Sequence, residues 1–300
     1  MRGRVVTLVA TADLIAAAHA GGRAVLAFNV IGIEHAEGIV AGAAQCEAPV
    51  LLQISENTVR FHGNLIAPLA TACAHLARRS GIDVAVHLDH FQDVDLIAEA
   101  IAGAAEWGVS SIMVDAAHLP YRDNVERTRL CAEQAHQAGL WVEAELGAIG
   151  GKAGSHAPGV RTDPGEAAAF AEKTGIDALA VAVGSSHAMT TREARLDFDL
   201  IAAIAARLDV PLVLHGSSGV ADEHLRQAVH AGIRKINVGT ALNVAYTGAV
   251  REALAADPDG VDPRTHLAAG RQAIAATVRQ LCTAIPAPRL HTLRGANPHA

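Results

Sequence analysis

Short apolar runs, each ending in polar or glycine residues, recur along this chain roughly every 25 to 40 residues. Runs of Val, Ala, Leu and Ile this short are typical of strands buried in a parallel sheet. Longer helix-like stretches separate them, which predicts repeated strand–helix units. The predicted strands span residues 24–30, 49–55, 84–89, 110–115, 140–146, 178–184, 211–216 and 233–239. Eight such units without a break in composition predict an α/β fold closed into a (β/α)8 TIM barrel, rather than an open doubly wound sheet.

Two helices are predicted outside the eight units. Residues 8–20 form a helix-like segment ahead of the first strand, and Thr11 and Asp13 are candidates to cap its amino end. Residues 266–283 form a second such segment after the eighth unit. We therefore expect a single-domain barrel with an extra N-terminal helix and a C-terminal helical extension.

The composition supports one large domain, since the chain has 300 residues and 51% of them are hydrophobic. We expect residues 1–285 to form that domain and the Pro-rich residues 286–300 to be disordered. The formal net charge is −7 with scattered basic residues, which argues against nucleic-acid and membrane-surface partners. No apolar stretch reaches the ~20 residues of a membrane span and no signal peptide is evident, so we expect a cytoplasmic protein. Four cysteines without a CxxC pair predict buried free thiols.

Three histidines follow predicted strands directly: His90 in VAVHLDH, His187 in ALAVAVGSSH and His215 in PLVLHGSSG. The carboxyl ends of parallel strands meet on one face of a barrel, where barrel enzymes carry their chemistry. Three neutral imidazoles converging there would hold one metal ion and leave a position for substrate, as in a catalytic zinc site. A single histidine at such a position is more often structural, but three of them at three strand ends favour the metal.

Carboxylates end other strands on the same face. Asp89 adjoins a predicted ligand and is well placed to move a proton beside a bound cation, although it could instead hold a histidine in place. Asp115 and Glu145 could bind a second divalent ion or alternate positions of the first. The alternative for this pair is an inward-facing charge balanced within the barrel. His87 is interpreted as structural, or as a residue that orients a ligand.

Two glycine-bearing turns, HGSSGV at 215–220 and NVGT at 237–240, follow the seventh and eighth strands. Barrel enzymes most often bind a phosphate at this place, on backbone N–H groups and a helix N-terminus. Ser218 and Thr240 would add hydroxyl donors. The two turns together therefore predict a phosphate site.

The glycine-rich residues 147–164 form a longer connection than barrels usually have, which favours a lid over the site. Lys235 has the same strand parity as Asn237 but lies deeper, so a structural role is expected. Without a lysine at the mouth for a Schiff base, carbonyl activation would fall to the metal.

Together these segments resemble the class II, metal-dependent ketose-bisphosphate aldolases, which include the fructose- and tagatose-bisphosphate enzymes. The segments that carry the resemblance occur in family order and cover most of the chain. They are AFNV (27–30), HLDH (87–90), SSIMVDAAHLP (110–120), EAELGAIGG (143–151), ALAVAVGSSH (178–187), VLHGSSG (213–219) and KINVGT (235–240). The combination of HLDH with LHGxSG is the most specific of these features.

The resemblance implies a zinc ion held by His90, His187 and His215, with Asp89 as the proton-transfer residue. Asp115 and Glu145 match the positions of a second cation in the family, and this cation could be divalent or monovalent. The predicted substrate- and phosphate-binding residues are Asn29, Ser55, Ala188, Gly216, Ser217, Ser218, Asn237, Val238, Gly239 and Thr240. The implied partners are small sugar phosphates, and homodimers or homotetramers are usual among similar proteins.

The chain departs from the family pattern in two places. AMT follows His187, where the family commonly has glycine and then an aromatic residue, and KAG follows Gly151, where it commonly has acidic residues. The second proton-transfer group therefore stays open, as does the preferred sugar. Fructose 1,6-bisphosphate is expected first, and tagatose 1,6-bisphosphate is the alternative. A metal-dependent barrel hydrolase and a non-catalytic phosphosugar-binding protein are the rival interpretations.

Overall fold

The computed structural model describes residues 7–146, 161–185 and 192–288. Eight parallel strands form a closed barrel in the order β1 to β8, each hydrogen-bonded to the next and β8 to β1. The strands are β1 Val25–Asn29, β2 Val50–Ser55, β3 Val84–Phe91, β4 Ser111–Val114, β5 Trp141–Leu146, β6 Ala178–Val181, β7 Leu212–Leu214 and β8 Ile233–Val238. The predicted (β/α)8 barrel is confirmed. The prediction differs most at β6, which ends at Val181, and at β7, which ends at Leu214.

Helices surround the barrel in the expected alternation. They are α1 Thr11–Ala20, α2 Ile33–Ala44, α3 Glu56–Phe61, α4 Ala67–Ala77, α5 Val94–Trp107, α6 Tyr121–Gln137, α7 Pro164–Thr174, α8 Phe198–Ala205, α9 Asp222–Ala231, α10 Thr240–Ala256 and α11 Pro263–Ala284. A 3₁₀ helix, Ser217–Gly219, follows β7. No helix of the described part is long and apolar enough to cross a membrane.

The N-terminal helix is shorter than predicted because residues before it are extended. Leu8 forms a parallel bridge to Val84, and α1 begins at Thr11. The prediction that Thr11 or Asp13 caps the helix is wrong: the N-cap is Ala10, without a side-chain bond. Thr11 Oγ1 instead lies 2.7 Å from Ser111 Oγ inside the barrel. This contact ties the helix to β4.

The barrel interior changes from apolar to polar along the strands. At the amino end, residues in the first half of the strands pack against α1, which closes the barrel. This floor consists of Val25, Ala27, Leu51 and Ala85 with Leu14, Ile15 and Ala18. Buried polar side chains fill the interior between this floor and the carboxyl ends of the strands, and they include Gln53, His87, Ser111, Glu143 and Lys235. A polar interior at that end prepares a site at the mouth.

The C-terminal extension packs on the outside of the barrel. α11 lies against α2 and α10, and glycines permit the close approach to α2. A Cβ on Gly42 would overlap the carbonyl oxygen of Ala275, and one on Gly38 would lie 2.7 Å from the carbonyl oxygen of Arg271. After α11, Arg23 donates to the carbonyl of Ala287. The predicted disordered tail lies outside the described residues, except for residues 286–288.

The four cysteines are free thiols. Cys73 and Cys282 are buried as predicted, and burial raises the pKa of each to about 12. The prediction of burial is wrong for Cys46 and Cys131, which are half-buried. Cys46 Sγ contacts the last turns of α11, so this thiol belongs to a helix interface.

Candidate metal centre

Two of the three predicted histidine ligands meet at the mouth of the barrel. His90 Nε2 and His215 Nδ1 are 2.8 Å apart. The two ring planes are nearly perpendicular, at 84°, and the ring centroids are 4.6 Å apart. His90 comes from β3 and His215 follows β7, so they lie on opposite parts of the barrel wall. The convergence of strand ends therefore brings together residues that are 125 positions apart.

Carboxylates fix the hydrogen on the outer nitrogen of each ring. Asp115 Oδ2 lies 2.9 Å from His90 Nδ1, and Glu143 Oε1 lies 2.9 Å from His215 Nε2. An ionised carboxylate only accepts hydrogen bonds, so we assign the N–H to those two atoms. The lone pairs of His90 Nε2 and His215 Nδ1 then face the same point. Facing lone pairs suit a shared cation, and carboxylate-backed imidazoles are usual among metal ligands.

A backbone irregularity turns His90 toward the site. Residues alternate across a strand, so Asp89 and His90 should point to opposite faces. However, His90 has φ of 56°, in the left-handed region, and the β3–β4 register shifts between Leu88 and Phe91. Such a shift is typical of a bulge, which re-aims a side chain. As a result, His90 Nε2 lies 4.0 Å from Asp89 Oδ1 on the same side of the strand.

Asp89 is buried beside the two histidines. One carboxylate oxygen of Asp89 and one nitrogen each of His90 and His215 lie within 4.8 Å of one another. Burial acts to raise the pKa of Asp89, but His90, His215 and Lys235 together lower it below its usual value. Asn237 Nδ2 donates to Asp89 Oδ1 at 3.3 Å. The side chain is therefore an ionised carboxylate held next to the candidate cation site.

A second group of metal-ligating atoms shares His90. Its atoms come from His90, Asp115 and Glu145 and also lie within 4.8 Å of one another. Glu145 Oε2 is 3.6 Å from His90 Nδ1, and Gln92 Nε2 donates to Asp115 Oδ2 at 3.2 Å. Asp115 and Glu145 thus both lie against the ring of His90. Because both groups use His90, the arrangement also suits one cation in two alternate positions.

Glu143 and Lys235 lie directly below the histidines, and neither was in the predicted site. Lys235 Nζ donates to Glu143 Oε2 at 2.8 Å, and both side chains are fully buried. Burial acts to raise the pKa of Glu143, yet Lys235 and the hydrogen bond to His215 lower it. The sequence carried a signal for both residues. Side chains two residues apart on a strand point to the same face, and Glu143 is two residues before Glu145, as Lys235 is two before Asn237.

The two predicted phosphate turns are in contact. Gly216 has φ of 67°, which allows the chain to turn into the 3₁₀ helix after β7. Ser218 Oγ accepts from the N–H of Ala241, in the first turn of α10, at 3.0 Å. Gly239 is the N-cap residue of α10 and has no side chain that could accept from the first N–H groups of the helix. The first turn of α10, a 17-residue helix, thus lies beside the loop that follows β7.

The remaining predicted binding residues have identified positions. Ser217 donates to the carbonyl of Asn237, and Val238 is buried at the end of β8, immediately before Gly239. Asn29 accepts from Gln53 at 2.6 Å. The hydroxyl of Ser55 accepts from the N–H of Thr58 and so caps α3. Gly239 lies close to Asn29, since a Cβ on Gly239 would be 3.2 Å from Asn29 Oδ1, and Thr240 begins α10.

Two predicted residues cannot be placed in this geometry. His187 and Ala188 lie outside the described residues, as does most of the predicted lid, from 147 to 160. His87 is buried, with Nδ1 2.8 Å from Ser111 Oγ. Its Nε2 lies 3.9 Å from Glu143 Oε2, on the same carboxylate that contacts His215.

The family profile described as fructose-bisphosphate aldolase class-II matches residues 9–287. The chain belongs to this family. It is similar to the YdjI aldolase from Escherichia coli K12, with 28% identity and a TM-score of 0.78 over 94% of this chain and 98% of that one. It shares its fold with the fructose-bisphosphate aldolase of Campylobacter jejuni, at 21% identity and a TM-score of 0.78, over 93% and 96%.

The family assignment makes the protein a class II aldolase, a metal-dependent class that acts on sugar phosphates. The predicted resemblance is confirmed. The two rival interpretations, a hydrolase and a non-catalytic binding protein, are set aside because the family activity is aldol cleavage.

Proposed function

We propose that this aldolase is zinc-dependent and cleaves fructose 1,6-bisphosphate reversibly to dihydroxyacetone phosphate and glyceraldehyde 3-phosphate. The observation that carries the proposal is the pair of imidazole nitrogens, on His90 and His215, that face one point beside the buried Asp89. Imidazole ligands suit zinc, and catalytic zinc sites use three protein ligands and an open position. His187 is proposed as the third ligand.

The donor set fits a divalent cation because each facing nitrogen is backed by a carboxylate on the opposite side of its ring. When bound, zinc supplies a Lewis acid that polarises the C2 carbonyl of the ketose. The residues of the chain supply the rest. Glu143 and Asp115 keep the two rings in the tautomer that presents a lone pair. A second cation, divalent or monovalent, is proposed at Asp115 and Glu145.

Asp89 is proposed to move the proton. In the cleavage direction its carboxylate accepts the proton of the C4 hydroxyl as the C3–C4 bond breaks and C4 becomes the aldehyde. The electron pair of that bond passes to C3 and the C2 carbonyl, and a proton from the second, unassigned proton-transfer group then completes dihydroxyacetone phosphate at C3. In the synthetic direction Asp89 returns its proton to the new hydroxyl. A general base at the correct position contributes about 10² to 10⁴ in rate. The lowered pKa of Asp89 keeps it ionised at neutral pH, ready to accept.

The phosphate of the dihydroxyacetone half is proposed to bind at the two turns. Backbone N–H groups and the N-terminus of α10 attract an anion there. The Ser218 hydroxyl, already in contact with the first turn of α10, can donate its hydrogen to a phosphate oxygen. Asn29, Ser55 and Thr240 are proposed to complete the binding surface, with Ala188 on the side of His187. Binding at this place would fix the substrate before the bond breaks.

Fructose and tagatose bisphosphates differ only in configuration at C4, the carbon whose hydroxyl Asp89 would serve. The description of the family profile supports the fructose substrate, and the tagatose substrate is the alternative. A cytoplasmic location and a homodimeric or homotetrameric assembly stay predictions. Light scattering of the purified enzyme tests the assembly.

The proposal is tested by a coupled assay with both bisphosphates, each run on metal-free enzyme and after addition of zinc. We expect cleavage only with zinc, and a higher kcat/KM for the fructose substrate. The control is His215→Ala, which should show neither zinc binding nor cleavage. Full activity of metal-free enzyme, or full zinc content in that variant by elemental analysis, would contradict the proposal. Faster cleavage of tagatose bisphosphate would make it the preferred substrate in place of fructose bisphosphate.

A further inference from the structure

Lys235 is a fully buried cation inside the barrel that the proposed reaction does not use. Its ammonium donates to Glu143 Oε2 at 2.8 Å and to Asn237 Oδ1 at 2.8 Å. Charged side chains are almost never fully buried unless they are paired. One partner is a carboxylate and the other is a neutral amide. Each of these two hydrogen bonds, called here the first and the second arm, connects the lysine to a different residue of the site.

The first arm leads to His215. Glu143 accepts from Lys235 through Oε2 and from His215 through Oε1 at 2.9 Å. The carboxylate is thereby held at both oxygens. Its closer contact favours the hydrogen of the imidazole on Nε2, against the Asn237 Nδ2 donor, which lies 3.1 Å from the same atom. Without that acceptor, the opposite tautomer would be favoured, since His215 Nδ1 lies 2.8 Å from His90 Nε2 and could donate to it. In that tautomer Nδ1 would have no lone pair for a metal.

The second arm leads to Asp89. An amide oxygen and nitrogen are hard to distinguish by shape alone, so contacts decide the orientation of Asn237. Lysine only donates and a carboxylate only accepts. The atom of Asn237 that faces Lys235 must therefore be the oxygen, and the atom 3.3 Å from Asp89 Oδ1 must be the nitrogen. Lys235 thus determines which group Asn237 presents to Asp89.

We infer that Lys235 is a positioning residue that sets both a metal ligand and the proton-transfer carboxylate, through Glu143 to His215 and through Asn237 to Asp89. This inference rests on the proposed zinc-dependent function. It changes the predicted role of Lys235, which the sequence indicated to be structural. One buried cation thus sets both the tautomer of His215 and the orientation of the Asn237 amide that donates to Asp89.

Stability of the barrel does not by itself account for the pair. Replacing a buried ion pair by apolar residues of similar volume is often neutral or stabilising. The floor of this same barrel is apolar, with Val25 and Ala27 on the strand beside Lys235 and Asn237. An apolar pair at 143 and 235 would therefore be compatible with the fold. The charges of Glu143 and Lys235 are accounted for by the positions that they give to His215 and Asn237.

The test compares Lys235→Met with Lys173→Met, which removes an exposed lysine at the end of α7. Each metal-free protein is refilled with zinc in competition with a chromophoric chelator. We expect Lys235→Met to bind zinc about 10 to 100-fold more weakly, as loss of a group behind a metal ligand typically does. With saturating zinc we expect kcat to fall and KM to change little, because Asp89 is displaced. The control variant should match wild type in both measurements.

Lys235→Met leaves Glu143 buried without its cation and could fail to fold, so a second variant is needed. Glu143→Leu with Lys235→Met leaves no charge of this pair in the interior. We expect it to fold, with an unfolding temperature close to that of wild type, while its zinc affinity stays low. In ¹⁵N-histidine spectra of the metal-free proteins, His215 should carry hydrogen on Nε2 in wild type and lose that preference in the double variant.

Several results would overturn the inference. One is a folded double variant with wild-type zinc affinity and an unchanged His215 tautomer. Another is hydrogen on Nδ1 of His215 in metal-free wild type. If neither variant folds, the pair determines folding and the positioning role is rejected. The proposed function is tested separately on wild-type enzyme, by whether its cleavage of the bisphosphates depends on zinc.

Discussion

His87 makes the stability of this barrel sensitive to mild acid. The ring is fully buried, and burial, followed by the charge of Lys235, lowers its pKa to about 3. In the unfolded chain the pKa of histidine is about 6.5. Between these values the unfolded state binds a proton that the folded state does not. The free energy of unfolding therefore falls as pH decreases from about 6.5 toward 3.

The size of the effect follows from the two pKa values. Each pH unit within that window costs about 1.4 kcal/mol. From pH 7 to pH 5, His87 alone should lower the free energy of unfolding by about 2 kcal/mol. For a chain of this size, 1 kcal/mol shifts the unfolding temperature by roughly 2–4 °C. His35 contributes in the same direction because its pKa is also lowered by burial, so the wild-type curve alone does not isolate His87.

The measurement is urea unfolding of metal-free enzyme at pH 7 and pH 5, for wild type and His87→Asn. The asparagine amide can replace Nδ1 in the contact with Ser111 but does not titrate. The variant should be less stable at both pH values, yet lose about 2 kcal/mol less than wild type between them. Equal losses in the two proteins would show that His87 is already charged in the fold, and the reasoning from burial would be wrong.

Three further predictions follow from single positions. Asp89→Asn should retain zinc and lose about 10² to 10⁴ in kcat in the coupled assay, whereas Asp95→Asn, on the exposed side of α5, should match wild type. Gly42→Ala should cost roughly 1–3 kcal/mol in urea unfolding because the new methyl overlaps α11. Gly248→Ala, with nothing described within 4 Å of the new Cβ, should add roughly 0.5–1 kcal/mol. His90→Gly should be more stable than His90→Ala by about 1 kcal/mol in urea unfolding, because glycine adopts the left-handed region without the cost of a Cβ. Equal stability of the two variants would argue against strain at φ of 56°.

The architecture was predictable because it depends on repetition. Eight apolar runs at similar intervals leave few alternatives to a closed parallel barrel, and that closure places the strand ends that carry His90 and His215 on one face. The bounds of α5 depend on local signals that the sequence carries, since Asp93 caps its start and Gly108 ends it in the left-handed region. Thr11 was misassigned because an interior contact to β4 outweighed local capping.

The site itself was only half predictable, for two physical reasons. Strand parity places Asp89 inside the barrel and His90 outside, and no local sequence signal announces the bulge that reverses His90. Lys235 and Glu143 carried the right parity, but their importance depends on distances between β5 and β8, which sequence separation conceals. A buried charge is recognisable from sequence only when its partner is also known.

The bend at His90 also matters to anyone who would move this chemistry to another scaffold. Copying the side chains onto a regular strand would send two neighbours to opposite walls, and the imidazole would face the surrounding helices. The irregular peptide must be transplanted together with the groups it carries. A barrel designed to carry this chemistry must therefore include the same backbone irregularity in its third strand.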